Sequence, residues 1–309
     1  GGNGTSSREG KLLALSPNLE RISVNLMGHY EFSPSFVPFW EAKYVRADAY
    51  GSQSGPFFSQ GTTLGDPGGR ERIRLDNPFL SDQARTLLTQ QLLATTVNAN
   101  TGAALTAAQL HAQRAAINAG TFRFNLRRNW VDFGIRDEAI RRETYRAVVG
   151  VRGDFNDDWN YELSVNYGEH REKNVVKGNV NVQRYLLGID TTRDAAGNIV
   201  CRSKLNPAGT VDYGADAAIL AADIAACVPI NPFGQGSVSQ AARNYVLMDT
   251  VATGKIKQFV ASGFVAGDTS AWFELPGGPV GFSVGGEYRR EKVYYDLDEL
   301  TQQGYAFYN

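Results

Sequence analysis

Arg21-Ile22-Ser23-Val24-Asn25-Leu26-Met27-Gly28-His29-Tyr30-Glu31-Phe32 is the stretch from which the fold can be read. Its even positions are Ile, Val, Leu, Gly, Tyr and Phe, and its odd positions are mostly polar or charged. A period of two puts one set on each face of an extended strand. The pattern returns at 159–168, where Trp159, Tyr161, Leu163, Val165 and Tyr167 alternate with Asn160, Glu162, Ser164, Asn166 and Gly168. It returns again at 280–289, with Val280, Phe282, Val284, Gly286 and Tyr288 on one side.

Each of these strands is predicted to meet a neighbour across a tight reversal. Segment 21–32 meets 36–44 across Ser33-Pro34-Ser35, and 145–155 meets 159–167 across Asn156-Asp157-Asp158. Segment 259–275 meets 280–288 across Pro276-Gly277-Gly278-Pro279. These are residues that tight turns require. Two long polar segments, roughly 49–127 and 173–249, separate the three hairpins. Alternation of short turns with long loops is the plan of a bacterial outer-membrane barrel. The expected fold is therefore all-β: an antiparallel up-and-down meander forming an incomplete segment of a transmembrane β-barrel, with small helices in long extracellular loops. Six strands cannot close even an eight-stranded barrel.

Aromatic placement agrees. Phe32, Phe36, Phe39 and Trp40 flank the first turn, Phe155, Trp159 and Tyr161 the second, and Trp272, Phe273 and Phe282 the third. Amphipathic rings favour a membrane–water boundary. Opposite the apolar face lie Glu41, Lys43, Arg146, Arg152, Asp154, Glu162, Glu274, Glu287 and Arg289, positions that would line a lumen. Upstream of the second hairpin the apolar parity runs through Val131, Phe133 and Ile135, is interrupted by charge at 136–143, and resumes at Tyr145. The upstream part is expected to project beyond the bilayer as an extension.

Within the loops, Thr106 and Gln109 fit a capping box for a helix ending at Gly120, and Ser81 caps a second helix carrying Leu87, Leu88 and Leu92. Asn77-Pro78-Phe79 precedes the Ser81 helix, and Asn231-Pro232-Phe233 precedes a similar one at Ser239. Asn77, Phe79, Asn231 and Phe233 are the candidate ligand contacts.

Composition narrows the functions. A net charge of −1 over 309 residues gives no basic excess for nucleic acid. His29, His111 and His170 form no metal or catalytic pattern, and no phosphate loop or cofactor motif is present. The reading is not an enzyme. The Asp154–Asp158 run falls short of a calcium loop, since Trp159 stands where glycine is needed. Cys201 and Cys227 share one polar segment and are read either as two free thiols or as a disulfide in an oxidising compartment. Residues 1–10 lack signal-peptide character and read as processed or cut from a longer chain; Asn3-Gly4-Thr5 matches a glycosylation sequon.

Residues 275–289, Leu-Pro-Gly-Gly-Pro-Val-Gly-Phe-Ser-Val-Gly-Gly-Glu-Tyr-Arg, closely resemble a barrel hairpin of TonB-dependent receptors. Glu41-Ala-Lys-Tyr-Val-Arg46, Asn77-Pro-Phe-Leu80, Thr144-Tyr-Arg146 with the turn at 156–159, and Asn231-Pro-Phe-Gly234 are also similar to that family. The resemblance runs from about Leu15 to the end. It implies a 22-stranded barrel in the outer membrane of a Gram-negative bacterium, filled by a plug. It implies uptake of a scarce ligand (a siderophore, cobalamin or a glycan) powered through TonB. On this reading the plug and the remaining strands lie outside the sequence, and the partners are outer-membrane lipid, TonB and plug through the missing parts, and a small ligand. A passive porin and a soluble secreted carbohydrate-binding protein are the alternatives.

Overall fold

A computed structural model describes residues 14–52, 56–65, 69–98, 102–156, 158–210 and 216–307. The amino-terminal stretch with its sequon and Asp157 of the second turn lie outside the described residues. Six strands form one antiparallel sheet: β1 (Asn18–His29), β2 (Val37–Gly51), β3 (Asp137–Asn156), β4 (Trp159–Val180), β5 (Leu247–Gly267) and β6 (Phe282–Leu297). Each pairs with its neighbour in sequence, and β1 and β6 are not paired with each other, so the sheet is an open meander.

The alternating pattern becomes two faces through the register. Val24 lies beside Tyr44, Tyr44 beside Tyr145, and Val149 beside Val165; Val165 meets Ala261, and Ala261 meets Tyr288. All stand on one face. Gly28 lies opposite Trp40, and a Cβ there would collide with the indole, so glycine lets the ring lie across the strand. No core lies beneath this face: Val24, Leu26, Val149, Leu163, Val284 and Tyr288 are all exposed.

The packed core is elsewhere, in the two long connections. Residues 52–136 and 181–246 fold against each other around Phe57, Trp130, Phe133, Tyr185, Ile189 and Ile230, all buried. Trp130 stacks on Phe133 at 4.9 Å, and Tyr185 meets Trp130 edge-on at 5.3 Å. Chain beyond β6 joins in, with Tyr305 buried and Phe307 edge-on to Phe57 at 4.5 Å.

The helices expected from capping residues form. Ser81 caps α1 (Asp82–Ala94), and Thr106 with Gln109 makes a capping box on α2 (Ala107–Asn118), which stops before Gly120 at φ +71°. The longer helices of the second connection are α3 (Val182–Ile189), α4 (Ala217–Ala226) and α5 (Gln240–Val246), the last capped by Ser239.

Three expectations need correction. Val131–Phe133 is a 3-10 turn and not strand, because Phe133 is drawn into the loop core; β3 begins at Asp137 and runs through the charged stretch. The fifth strand ends at Gly267, well short of 275, because Asp268 accepts hydrogen bonds from the Ser270 amide and hydroxyl and turns the chain. Glu274 therefore stands in the loop closed by the hydrogen bonds between Thr269 and Val280 and belongs to no strand face. Finally, β4 extends to Val180, so strand replaces the first part of the segment read as loop from 173.

Candidate functional site

Two features have the organisation of a site: the apolar face of the sheet and the loop body at its rim.

On the apolar face, five of the strands carry a ring: Tyr44 on β2, Tyr145 on β3, Tyr167 on β4, Phe259 on β5 and Tyr288 on β6. On every one of them the next residue of that face towards the loops is charged: Arg46, Glu143, Glu169, Lys257 and Arg290 respectively. Below the rings the face is Ala147, Val149 and Val151 on β3, Val165 and Leu163 on β4, and Ala261, Gly263 and Val265 on β5, with no charge. A second set of rings closes the band near the short turns. Trp159 packs edge-on against Phe282 at 4.8 Å and Trp272 at 5.2 Å, and Phe155 stacks on Tyr161 at 4.7 Å.

The upper rings do not follow one hydrogen-bonded row. Tyr288 shares a row with Ala261, Val165, Val149 and Trp40, which puts Tyr44 four residues higher across four strand spacings. At about 3.3 Å per residue and 4.8 Å per strand, that is roughly 13 Å down for 19 Å across, an inclination of about 35°. Strands tilted by that angle from the normal of a plane would place all five rings in the plane, and roughly 35–45° from the axis is the tilt of membrane barrels. From Tyr167 to Trp159, eight residues along β4, the band is roughly 21 Å tall after this tilt. Sequence reading located the turn-side rings but missed the upper belt. Its signal was legible as a ring two residues from a charge, before or after it according to the direction of the strand.

The loop body is held by a chain of charges joining the two connections. Arg74 grips Asp76 through two hydrogen bonds at 2.9 and 2.7 Å, and Arg202 reaches the same carboxylate at 3.1 Å. Arg202 also donates to Asp190 at 3.2 Å, and Arg123 donates to Asp190 at 2.7 Å. Burial acts to raise the Asp76 carboxyl, but the Arg74 hydrogen bonds and the Arg202, Arg74 and Arg123 charges outweigh it and hold it below its usual range. A second stitch is buried: the Trp130 indole and the Tyr185 hydroxyl both donate to Ser59 Oγ, at 2.7 and 3.1 Å. Burial pushes the Tyr185 phenol up, so it stays a donor. Cys201 and Cys227 form a disulfide, Cα to Cα 6.3 Å, tying the start of one helical segment to the end of α4.

The four candidate ligand residues do not converge. Asn77 is buried, its Oδ1 accepting from the Phe79 amide at 3.0 Å and its amide donating to the Ile189 carbonyl at 3.3 Å. Asn231 Oδ1 accepts from the Phe233 amide at the same 3.0 Å, so the repeated Asn-Pro-Phe is one turn used twice. Phe233 packs into the loop core, and Phe79 is half-buried. A cleft of about 100 Å³ opens instead between the connections, lined by Arg70, Arg123, Arg202, Asp190, Gln183 and Ser203. The Ser203 hydroxyl is buried without a partner. Arg123 and Arg202 of this lining are already engaged by Asp190, and Arg202 by Asp76 as well. Among the described residues no three His, Cys, Asp or Glu side chains gather to hold a metal.

No protein-family model matches this chain, and no curated protein does. The functional reading therefore stands on its own residues and geometry.

Proposed function

We propose that this chain is part of the wall of an outer-membrane barrel of the TonB-dependent receptor type, which captures a scarce small ligand at its loop rim for import. The observation that carries the reading is the exposed, uncharged band on one sheet face, bounded by rings on both sides. In water, contiguous apolar patches beyond a few hundred Å² are rare on monomers. Here the band crosses the sheet, and acyl chains are the cover that fits its height and its ring borders. The open edges call for further strands, since only closure abolishes them.

The receptor reading is preferred to a passive porin because the two connections are bound into one packed, ion-paired body. Such a body suits ligand capture at the rim. Energy coupling is assigned to no residue here. The test is fractionation of the full-length protein with uptake assays. We expect a detergent-requiring, heat-modifiable outer-membrane protein whose uptake is lost on deletion of 56–130. Recovery in aqueous extracts without detergent would overturn the membrane reading; undiminished uptake after the deletion would return the protein to the porin class.

A further inference from the structure

In α4 the sequence and the surroundings disagree. It reads Ala-Ala-Ile-Leu-Ala-Ala-Asp-Ile-Ala-Ala, and a helix apolar all round belongs in a core. Here it lies on the surface of the loop body, with Ala217, Ala218, Ala221, Ala222, Ala225 and Ala226 exposed. Its one charge is turned inward: Asp223 is buried and accepts from Arg184 at 2.7 Å and from Gln183 at 2.9 Å. Ala217, Leu220, Ala221, Ile224 and Ala225 have the spacing of a single helix face, and together with Pro207 they wall a groove of about 590 Å³. Lys204, in the short helical turn after Cys201, is the only charged group of that lining. It is exposed and has no carboxylate partner among the described residues. Asp216, the acid at the start of α4, is occupied as its cap, accepting from the Ala218 and Ile219 amides at 2.9 and 3.1 Å.

Size selects the kind of occupant. A stable protein interface engages roughly 20–30 residues a side, against seven in this lining, so a second protein would find too little to hold. Small-molecule pockets hold about 300–1,000 Å³ and set a few placed polar groups in an apolar lining, which describes this groove. From Ala217 to Ala225 the wall runs roughly 12 Å at about 1.5 Å per residue. One ammonium beside an uncharged wall complements one anionic head on an apolar tail. We infer that the α4 groove binds a small amphiphile bearing a single carboxylate, its head on Lys204 and its tail along Leu220, Ala221 and Ile224. The head gains a charge-assisted hydrogen bond, and the tail is held by removal of apolar surface from water. The inference names a ligand class for the rim and rests on the receptor reading above for its part in uptake.

The test photolabels the full-length protein with octanoate carrying a diazirine on its tail, and maps the label by peptide mass spectrometry, so that uptake of the probe into detergent or lipid does not count. Label is expected within 217–226, displaced by unmodified octanoate and not by acetate. Octanol should displace it about fivefold less well than octanoate, the worth of one exposed ion pair. K204Q should abolish that preference, K204R should retain it, and A221E, which sets a carboxylate in the groove, should remove the label. Equal displacement by octanol and octanoate would overturn the inference, as would native preference in K204Q. An α4 that takes no label while its amides resist hydrogen exchange would show the face covered by another segment or a second copy, and would overturn it too. A detergent-requiring protein with α4 unlabelled defeats this inference alone. A protein recovered without detergent that still labels at α4 defeats the membrane reading and leaves this site standing.

Discussion

Val284→Arg separates a lipid-facing band from a merely exposed one by magnitude. Val284 sits on β6 between Phe282 and Tyr288 and is 70% exposed. It lies four residues below Tyr288, roughly 11 Å beneath the upper belt once the strands are tilted, close to the middle of the band. If the face met water, an arginine there would change stability by no more than about 0.5 kcal/mol, as at most surface positions. If it meets acyl chains, the cost is about 2–4 kcal/mol, roughly 30- to 900-fold in the folded-to-unfolded ratio. Two controls share the strand. Ser283→Arg enters the opposite, polar face, and Tyr294→Arg shares the face of Val284 but stands six residues beyond Tyr288, above the belt. Both should be mild. The assay is heat-modifiable migration and surface exposure of the full-length protein, with urea unfolding in lipid vesicles for the free energies. Equal tolerance of Val284→Arg and Ser283→Arg would refute the assignment of faces, and an equally severe Tyr294→Arg would refute the depth.

Trp130→Ala should cost the loop body about 3–5 kcal/mol, leaving Ser59 with one donor, and should open residues 52–136 to protease while the sheet stays resistant. Reduction of the Cys201–Cys227 disulfide, which spans 26 residues, should cost roughly 3–4 kcal/mol by chain entropy, read as faster exchange of α3 and α4 amides under reductant. The depressed Asp76 carboxyl stabilises the loop body fully above the ordinary carboxylate range, and that contribution disappears as pH falls through its lower folded value. Loop protection should therefore decline in acid, and Asp76→Asn should flatten that decline, as hydrogen exchange across the acid range can check.

Strands and caps were legible because their signals are local. Alternation at 21–32 and 159–168 needs only neighbours a few positions away, and Ser81, Thr106 and Ser239 announce helices through groups three residues on. The loop core was not legible. Phe57, Trp130 and Tyr185 meet across long stretches of chain with no shared period, and nothing near Phe133 says that it will leave the strand parity to stack on Trp130. The candidate contacts failed to converge for a related reason. Asn77 and Asn231 look like ligand residues because they recur, but the recurrence belongs to the backbone turn each closes. The upper ring belt lay in plain view, though its meaning depends on register: only pairing shows that Tyr44 and Tyr288 descend along one oblique line.

The partition of the loop core between two distant connections has a consequence for timing. Phe57 and Trp130 arrive on the first connection and Tyr185 and Ile230 on the second, and the β3–β4 hairpin is what brings them within reach. Closing so long a chain before that hairpin exists would cost entropy with no packing to offset it. Assembly is therefore expected to be ordered, hairpin first and rim last, so that protease resistance of the rim would report that the wall beneath it has been laid in register. Pulse-labelled hydrogen exchange that found α3 protected before β3 and β4 would reverse that order.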